Sequence, residues 1–418
     1  MPIAGVIAEY NPFHNGHKYL IDKVKELSDA DKIIALMSGN FTQRGVPAMA
    51  DKYTRAESAI LGGVDTVFEL PCLYATGSAR DFATGAVGIF EKMKIVDYLV
   101  FGAEDPEPEL FDAIADILAN EPEEYKTILN KQLSKGQSYP IASQFSIEEY
   151  VKKHKLEGFP NAKKIHEIIQ KPNNILAISY LISLKNLGSK IKPIIVKRCD
   201  EGYLNVALSG KYSSAASIRM ALEGGEDVST YVPSKCLKPY KKYLDLPLPS
   251  PDWLSPYIAA RLIYDRNLPP EISQLDQIMD MTPDLLNRLR KSPLPTRHLE
   301  LSDYLKTRNL TMTRVSRVII HLLLGIRNDD RLMSREDGYS EYINLLALKK
   351  ISSEILNQLK NESELTIINK KSEFVPETKL GERLWQLDKL ATDLYNQLIY
   401  ENINLRLHNE LTCSVRTV

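Results

Sequence analysis

The sequence has no CxxC pair, no long apolar run, no internal repeat and almost no net charge, and each absence narrows what the protein can be. Its four cysteines, Cys72, Cys199, Cys236 and Cys413, lie far apart. Neither a zinc site nor a disulfide framework is therefore expected, and no metal ligands are assigned. Reduced thiols in a cytosol fit this usage. The apolar stretch inside MPIAGVIAEYNPFHNG is too short to span a bilayer and lacks a basic leader or a small-residue cleavage site. It reads as a first β-strand of a cytoplasmic protein without membrane association. A formal net charge of −1 provides no global field for a polyanion, so any nucleic-acid site must be a local patch.

What is present is a soluble composition, 44% hydrophobic and 26% charged over 418 residues. That is enough for two or three domains with real cores. Ile3–Ala8, Lys32–Met37, Thr66–Leu70 and Tyr98–Phe101 are continuous apolar runs, as strands buried on both faces of a parallel sheet require. Helical spacing fills His17–Ser28 and Asp51–Leu61 between them, and Lys192–Lys197 is a further strand. This βαβα order predicts an α/β fold, a Rossmann-like doubly wound parallel sheet. The stretch from Phe111 to Lys171 reads as helical and polar, interrupted by Gly136 and Pro140. A loop with Gly202 and Gly210 then leads to a helix over Ser213–Leu222, opened by serines suited to an N-cap. Pro233, Pro239, Pro247, Pro249, Pro251 and Pro256 mark a linker, and the remainder reads as all-helical with a seam near Arg331–Tyr339. The expected division is a nucleotide-binding catalytic domain at 1–235 with a helical insertion at about 108–171, a helical domain at 236–330 and a C-terminal helical domain at 331–418.

Chemistry concentrates in two motifs. His14-Asn15-Gly16-His17 follows the first strand and opens a helix, where free backbone N–H groups and the helix dipole favour an anion. Gly16 lets the backbone approach a nucleotide, and two imidazoles three positions apart can donate to phosphate oxygens. Attack at an α-phosphorus then needs positioning and charge stabilisation. Alone, the four residues could be two unrelated surface histidines; their strand–loop–helix setting favours a site. Downstream, Ser213 and Ser214 stand at a helix start with Arg219 beyond. There hydroxyls and amides can hold the β- and γ-phosphates, and Arg219 can neutralise pyrophosphate. By itself this could equally be a plain capped helix.

HNGH after the first strand with SSAASIR far downstream resembles the HxGH/ISSTxxR signature of the HIGH-type nucleotidyltransferase superfamily, with Ala216 where threonine is usual. The blocks VIAEYNPFHNGHKYLI, MSGNFTQRGVPA, FGAE at Phe101–Glu104, KPNNILAISYL and SSAASIR resemble the bacterial tRNA(Met) cytidine acetate ligase family along the whole chain. The resemblance implies activation of acetate by ATP to acetyl-adenylate with release of pyrophosphate. The acetyl group then passes to the exocyclic amine of the wobble cytidine of elongator tRNA(Met), with Mg²⁺ accompanying ATP. It implies an ATP site from Ile7, Ala8, Glu9, Tyr10, Asn11, Pro12, Phe13, His14, Asn15 and Gly16 through His17, Lys18, Tyr19 and Leu20. Gly102, Asn173 and Arg198 complete that site, with Asn174 as the alternative to Asn173. His14 and His17 are the catalytic pair.

Ser38, Asn40, Gln43 and Arg44 also follow a strand of the parallel sheet, where loops line the ligand crevice, and are candidates for acetate or the target base; a polar surface loop is the plain alternative. Asp51, Lys52 and Arg55 read as capping and solvating the next helix. Met281–Arg327 holds nine basic and three acidic residues. Within it, Arg314, Arg317 and His321 share one face of a helix whose other side is apolar. Arg288, Arg290, Lys291, Arg314 and Arg317 are therefore tRNA candidates, and tyrosines of this half could stack on an unpaired base. An adenylyltransferase acting on a phosphorylated metabolite, and a tRNA-binding protein that keeps ATP as a structural ligand, are the other readings. The basic helical half argues against the first.

Overall fold

The computed structural model describes residues 1–154, 162–199 and 212–418; the expected loop with Gly202 and Gly210 lies outside them. Five parallel strands form where apolar runs were continuous: β1 (Ile3–Ala8), β2 (Lys32–Ser38), β3 (Thr66–Leu70), β4 (Tyr98–Ala103) and β5 (Lys192–Lys197), in the order β5-β4-β1-β2-β3. β1 is central, pairing Ile3–Ala8 with Lys32–Met37 on one side and Ala4–Gly5 with Tyr98–Leu99 on the other. Sheet order reverses direction at β1, so a crevice opens outside the carboxyl ends of β1 and β4, where ligands of doubly wound sheets bind.

α1 (Asn15–Leu27) and α2 (Lys52–Gly62) connect β1 to β2 and β2 to β3. The expected helical insertion comprises helices Pro108–Asn120, Glu123–Leu133, Tyr139–His154 and Ala162–Ile169. Gly136, at φ +79°, makes the turn between the second and third. Helix Pro172–Asn186 follows, buried against β4 and helix Ala79–Met93.

The region after the prolines departs from the all-helical expectation. β6 (Tyr342–Leu348) joins the same sheet antiparallel to β3, and β7 (Thr366–Ile368) and β8 (Arg416–Thr417) pair with β6. β6 is YINLLAL, buried along its whole length. A run without alternation marks a fully buried strand as readily as a buried helix. The helix Lys379–Ile403 then packs over this extension.

The proline-rich stretch is not an open linker either. Pro233, Pro239 and Pro251 start short helical turns, while Cys236, Tyr240 and Tyr243 are buried. The Tyr240 hydroxyl lies 3.4 Å from both the Phe13 amide and the Tyr10 carbonyl. Tyr243 donates to Asp51 at 2.6 Å and Ser58 donates to the Cys236 carbonyl at 2.9 Å. Proline marks turns but does not say whether side chains between the turns are anchored.

Candidate nucleotide site and its neighbouring loop

β1 ends at Ala8, and the chain turns through Tyr10, whose φ of +46° is unusual for a residue with a side chain. Tyr10 and Phe13 are buried beneath the loop, and Gly62 of α2 leaves the room that the Phe13 ring fills. His14 is the N-cap of α1. Its Nδ1 accepts from Gly16 N at 3.0 Å, and His17 Nδ1 accepts from His14 N at 3.2 Å. The two imidazoles thus reproduce a capping box in which serine and glutamate are the usual partners. Gly16 is needed here, because a Cβ would stand 2.9 Å from His14 Cε1. The rings face each other with centroids 3.8 Å apart.

Burial holds the His14 pKa down to about 3, helped by the charges of Arg198 and Arg219. His14 is therefore a neutral imidazole at physiological pH. With both Nδ1 atoms accepting from backbone N–H groups, the ring N–H assigned from these bonds is Nε2 on each imidazole. The helix start so offers two ring N–H donors beside its own free amides.

The other candidates surround this pair. Gly102 lies in β4 beside Val196 of β5, and a Cβ on it would meet Arg198 Cγ at 3.1 Å. The glycine therefore makes room for the arginine stem. Arg198 Nη1 donates to Asn173 Oδ1 at 3.3 Å. Asn173, half-buried, also donates to Glu104 Oε1 at 2.7 Å. Asn174 is fully buried: its Oδ1 accepts from the amides of Glu104 and Asp105 at 3.0 and 3.3 Å, and its Nδ2 donates to the Ile168 carbonyl. Glu104 was not singled out from the sequence. Its carboxylate accepts from the Asn173 and Asn174 amides, capping helix Pro172–Asn186.

Helix Ala215–Glu223 starts as the serines predict, with Ser214 Oγ accepting from Ser217 N at 3.1 Å and Ser213 buried. Arg219 Nη1 donates to the Asn11 carbonyl at 2.6 Å, which ties this helix to the first loop. Asn15 donates through its side chain to the Thr230 carbonyl, Lys18 pairs with Asp22, and Tyr19 stacks near Tyr212. Ile7, Ala8 and Leu20 are half-buried at the end of β1 and in α1, and Pro12 is buried in the turn.

The loop after β2 lies against the first one. Glu9 Oε1 accepts from Gln43 N at 2.9 Å, and Asn11 Oδ1 accepts from Met49 N at 2.8 Å. Asn40 Oδ1 accepts from Lys52 N at 2.9 Å, so this side chain helps hold the start of α2. Ser38 Oγ and Gln43 Nε2 are buried and have no partner among the described residues. Such groups cost stability unless something binds them. Arg44 is half-buried on the same loop. Gly45, at φ +71°, packs so closely on the Ser316–Arg317 backbone that a side chain would collide.

α2 corrects the expectation of a solvated basic start. Asp51 caps it through Thr54 N at 3.0 Å, yet Lys52 and Arg55 are fully buried. Lys52 forms ion pairs with Glu69 and Glu410, and Arg55 donates to the carbonyls of Glu9, Gly39 and Ala50. The legible signal was α2 itself, KYTRAESAILG, which buries nine of its eleven residues and has no polar face.

The basic stripe is corrected as well. In helix Met312–Leu324, His321 is wholly buried, its ring nitrogens 3.2 and 3.0 Å from the Met279 and Thr76 carbonyls. Arg314 is half-buried, and Arg317 is half-buried with its Nε enclosed and without a partner among the described residues. The face that carries these three groups packs on Thr76 and on the Gly45 loop instead of lying open. Arg288 donates to the Tyr304 carbonyl and lies 5.7 Å from its ring centre. Arg290 and Lys291 are exposed at the end of helix Pro283–Lys291.

Among the described residues, no helix is long and apolar enough to cross a membrane, and no three or more His, Cys, Asp or Glu side chains group as metal ligands.

The model of the HIGH Nucleotidyl Transferase family matches residues 1–410. The tRNA(Met) cytidine acetate ligase of Thermoanaerobacter sp. (strain X514) is 36% identical over 408 residues, 97% of each chain. That of Acetivibrio thermocellus is 35% identical over 421 residues, 96% of each. Crystal structures of Thermotoga maritima TmcAL, apo and bound with alpha-thio ATP, superpose with TM-scores of 0.90 and 0.88 at 27% identity, covering all of both chains. The chain thus belongs to the tRNA(Met) cytidine acetate ligase family, within the HIGH nucleotidyl transferases.

Proposed function

We propose that this chain is an ATP-dependent ligase that activates acetate as acetyl-adenylate and acetylates the exocyclic amine of the wobble cytidine of elongator tRNA(Met). In the first step an acetate oxygen attacks the α-phosphorus and pyrophosphate leaves. In the second, the amine nitrogen attacks the acyl carbonyl, loses its proton, and AMP departs. The observation that carries this reading is the His14–His17 pair at the start of α1, its rings 3.8 Å apart and His14 neutral, with Arg198 and Arg219 close enough to act on the charge of His14.

The roles follow from that arrangement. Two Nε2–H donors stabilise the pentavalent phosphorus centre without changing protonation, and the arginines supply the positive charge for pyrophosphate. Asn173 is assigned to the nucleotide because it faces Arg198, whereas Asn174 is already committed to the backbone of three residues. Mg²⁺ supplies charge shielding on the phosphates when bound. It would be carried largely by the phosphates of ATP itself, as such ions commonly are.

Ser38 and Gln43, with buried groups lacking partners, are assigned to acetate or the target base, with Arg44 beside them. The 236–330 region is assigned to tRNA, chiefly through the exposed Arg290 and Lys291, and the exposed ring of Tyr264 would be available to stack on a base. Residues 1–235 would form the catalytic domain, with its sheet extended by β6, β7 and β8 of the 331–418 region.

The test is incubation with ATP, Mg²⁺ and labelled acetate, with and without bulk tRNA. Label entering acid-precipitable tRNA, and lost in His14→Ala, is expected. Absence of label in tRNA with the unmodified protein refutes the ligase reading, and pyrophosphate release in the same tubes then tells a different acid from mere nucleotide binding.

A further inference from the structure

The Arg55 side chain is 0% exposed, yet among the described residues its hydrogen bonds go to carbonyls and not to a carboxylate. Its Nε donates to the Ala50 carbonyl at 3.0 Å, its Nη1 to the Glu9 carbonyl at 2.6 Å and its Nη2 to the Gly39 carbonyl. Glu9 is the first residue beyond β1, and Gly39 the first beyond β2. These strands are neighbours, and their two exits carry different halves of the proposed chemistry. The Glu9 loop runs to His14, and the Gly39 loop follows Ser38 at the end of β2 and holds Gln43 and Arg44.

A planar guanidinium has donors in a fixed fork, so holding two carbonyls on its two terminal nitrogens fixes their separation. Each of the two residues is constrained from another side too. Gly39 lies so close to Glu69 Oε1 that a Cβ would collide, and the Glu9 carboxylate accepts from Gln43 N. A buried cation is costly unless fully hydrogen-bonded. Simple support of a helix start would not need one.

The geometry points to Arg55 as a positioning residue that sets the acid- and base-binding loop against the nucleotide loop, so that acetate and the α-phosphorus meet in line. This inference rests on the ligase reading above. It differs from an ordinary core role in what it affects most: the spacing of the two loops and hence the acyl chemistry, whereas ATP is held chiefly by α1, Gly102, Asn173 and Arg198, to which Arg55 makes no hydrogen bond among the described residues.

Arg55→Lys keeps the charge and most of the volume but loses the fork. The measurements are ATP affinity by calorimetry, the acetate KM and kcat from pyrophosphate release, acetyl transfer to tRNA, and thermal stability. For folded Arg55→Lys, ATP Kd should change by less than about threefold. The acetate KM should rise about tenfold and acetyl transfer fall about 100-fold, as when a reacting group is misplaced by an ångström. Added guanidinium ion should restore part of the acetate-dependent rate in Arg55→Ala, which a general loss of packing would not allow. If Arg55→Ala does not fold, Arg55→Lys alone decides. An unchanged acetate KM and transfer rate in folded Arg55→Lys overturns the proposal, as does an ATP Kd that weakens in parallel with the acetate KM. An unmodified protein that does not use acetate overturns the ligase reading itself, and this proposal with it.

Discussion

Replacing Lys52 by methionine would leave two carboxylates facing each other in the core. Lys52 Nζ lies 2.8 and 2.6 Å from the Glu69 oxygens and 2.7 Å from Glu410 Oε2, with side-chain exposures of 0, 4 and 2%. Asn344 donates to both carboxylates, and Tyr53 and Thr392 donate to Glu410. Burial pushes Glu69 up to about 7 even with Lys52 in place. Burial also pushes Glu410 upward, but the charge of Lys52 outweighs it and holds that carboxyl below its ordinary range.

Removing one partner of such a group costs about 3–5 kcal/mol, because the remaining charge is buried without compensation. The sign of the pH dependence follows. Without Lys52 the Glu69 carboxyl rises further above its unfolded value and Glu410 loses the charge that held it below, so burial raises both and the folded variant holds more protons than the unfolded chain. Its stability is greatest below the unfolded pKa and is lost as pH rises through the raised one, by up to about 1.4 kcal/mol per pH unit for each extra proton. The deficit against the unmodified protein should therefore widen between pH 6 and 8.5, read from urea unfolding followed by circular dichroism. Lys52→Met with Glu410→Gln should recover part of it. A cost below about 1 kcal/mol at pH 8, or one that does not grow with pH, would refute the account of the core.

Asn174→Ala should lower stability by about 1–3 kcal/mol, since two amides and a carbonyl lose their partner; Asn173→Ala should chiefly weaken ATP binding, and calorimetry with thermal melts separates the two. His14→Ala should slow pyrophosphate release by about 10²–10³, the usual cost of one transition-state donor. Because the folded pKa of His14 is depressed to about 3, its neutral form contributes stability above pH 6.5 that is lost as pH falls toward 3. Buried His298, held down to about 4, and buried His321 act in the same direction, so acid unfolding monitored by circular dichroism should begin below pH 6.5 and flatten in His14→Ala. Arg290→Ala with Lys291→Ala should weaken tRNA binding and reduce its salt slope by about one per lost phosphate contact in filter-binding assays. Arg317→Ala should instead lower the melting temperature.

The first five strands were legible because a strand buried on both faces leaves a continuous apolar run, and the two ligand helices because their caps are polar residues before periodic ones. The basic stripe was misread because helical periodicity locates a face but not what lies against it. His321 fits a solvent-facing stripe as well as it fits a bond to the Thr76 carbonyl, 245 residues away. Lys52 and Arg55 were misread for the same reason. Their partners are distant in sequence, Glu410 for one and the carbonyls of Glu9 and Gly39 for the other, and a carbonyl leaves no trace in residue identity.

That limit has a chemical counterpart in the site. The nucleotide half is built from local motifs, since a helix N-terminus and its caps occupy a few consecutive residues. The half proposed for the acid depends on how two loops are spaced, and the groups that space them are Arg55, the Glu9 carboxylate and the Glu69 side chain against Gly39. Glu69 in turn is held by Lys52, which Glu410 holds from near the C-terminus. β6 also brings Asn344 to the same cluster, so the sheet extension supports the loop after β2 from beneath. This gives the C-terminal strands a reason to join the catalytic sheet instead of forming a separate helical unit. A two-carbon acid offers too little surface to orient itself by contact alone, so its attack on phosphorus depends on how rigidly the surrounding backbone is set.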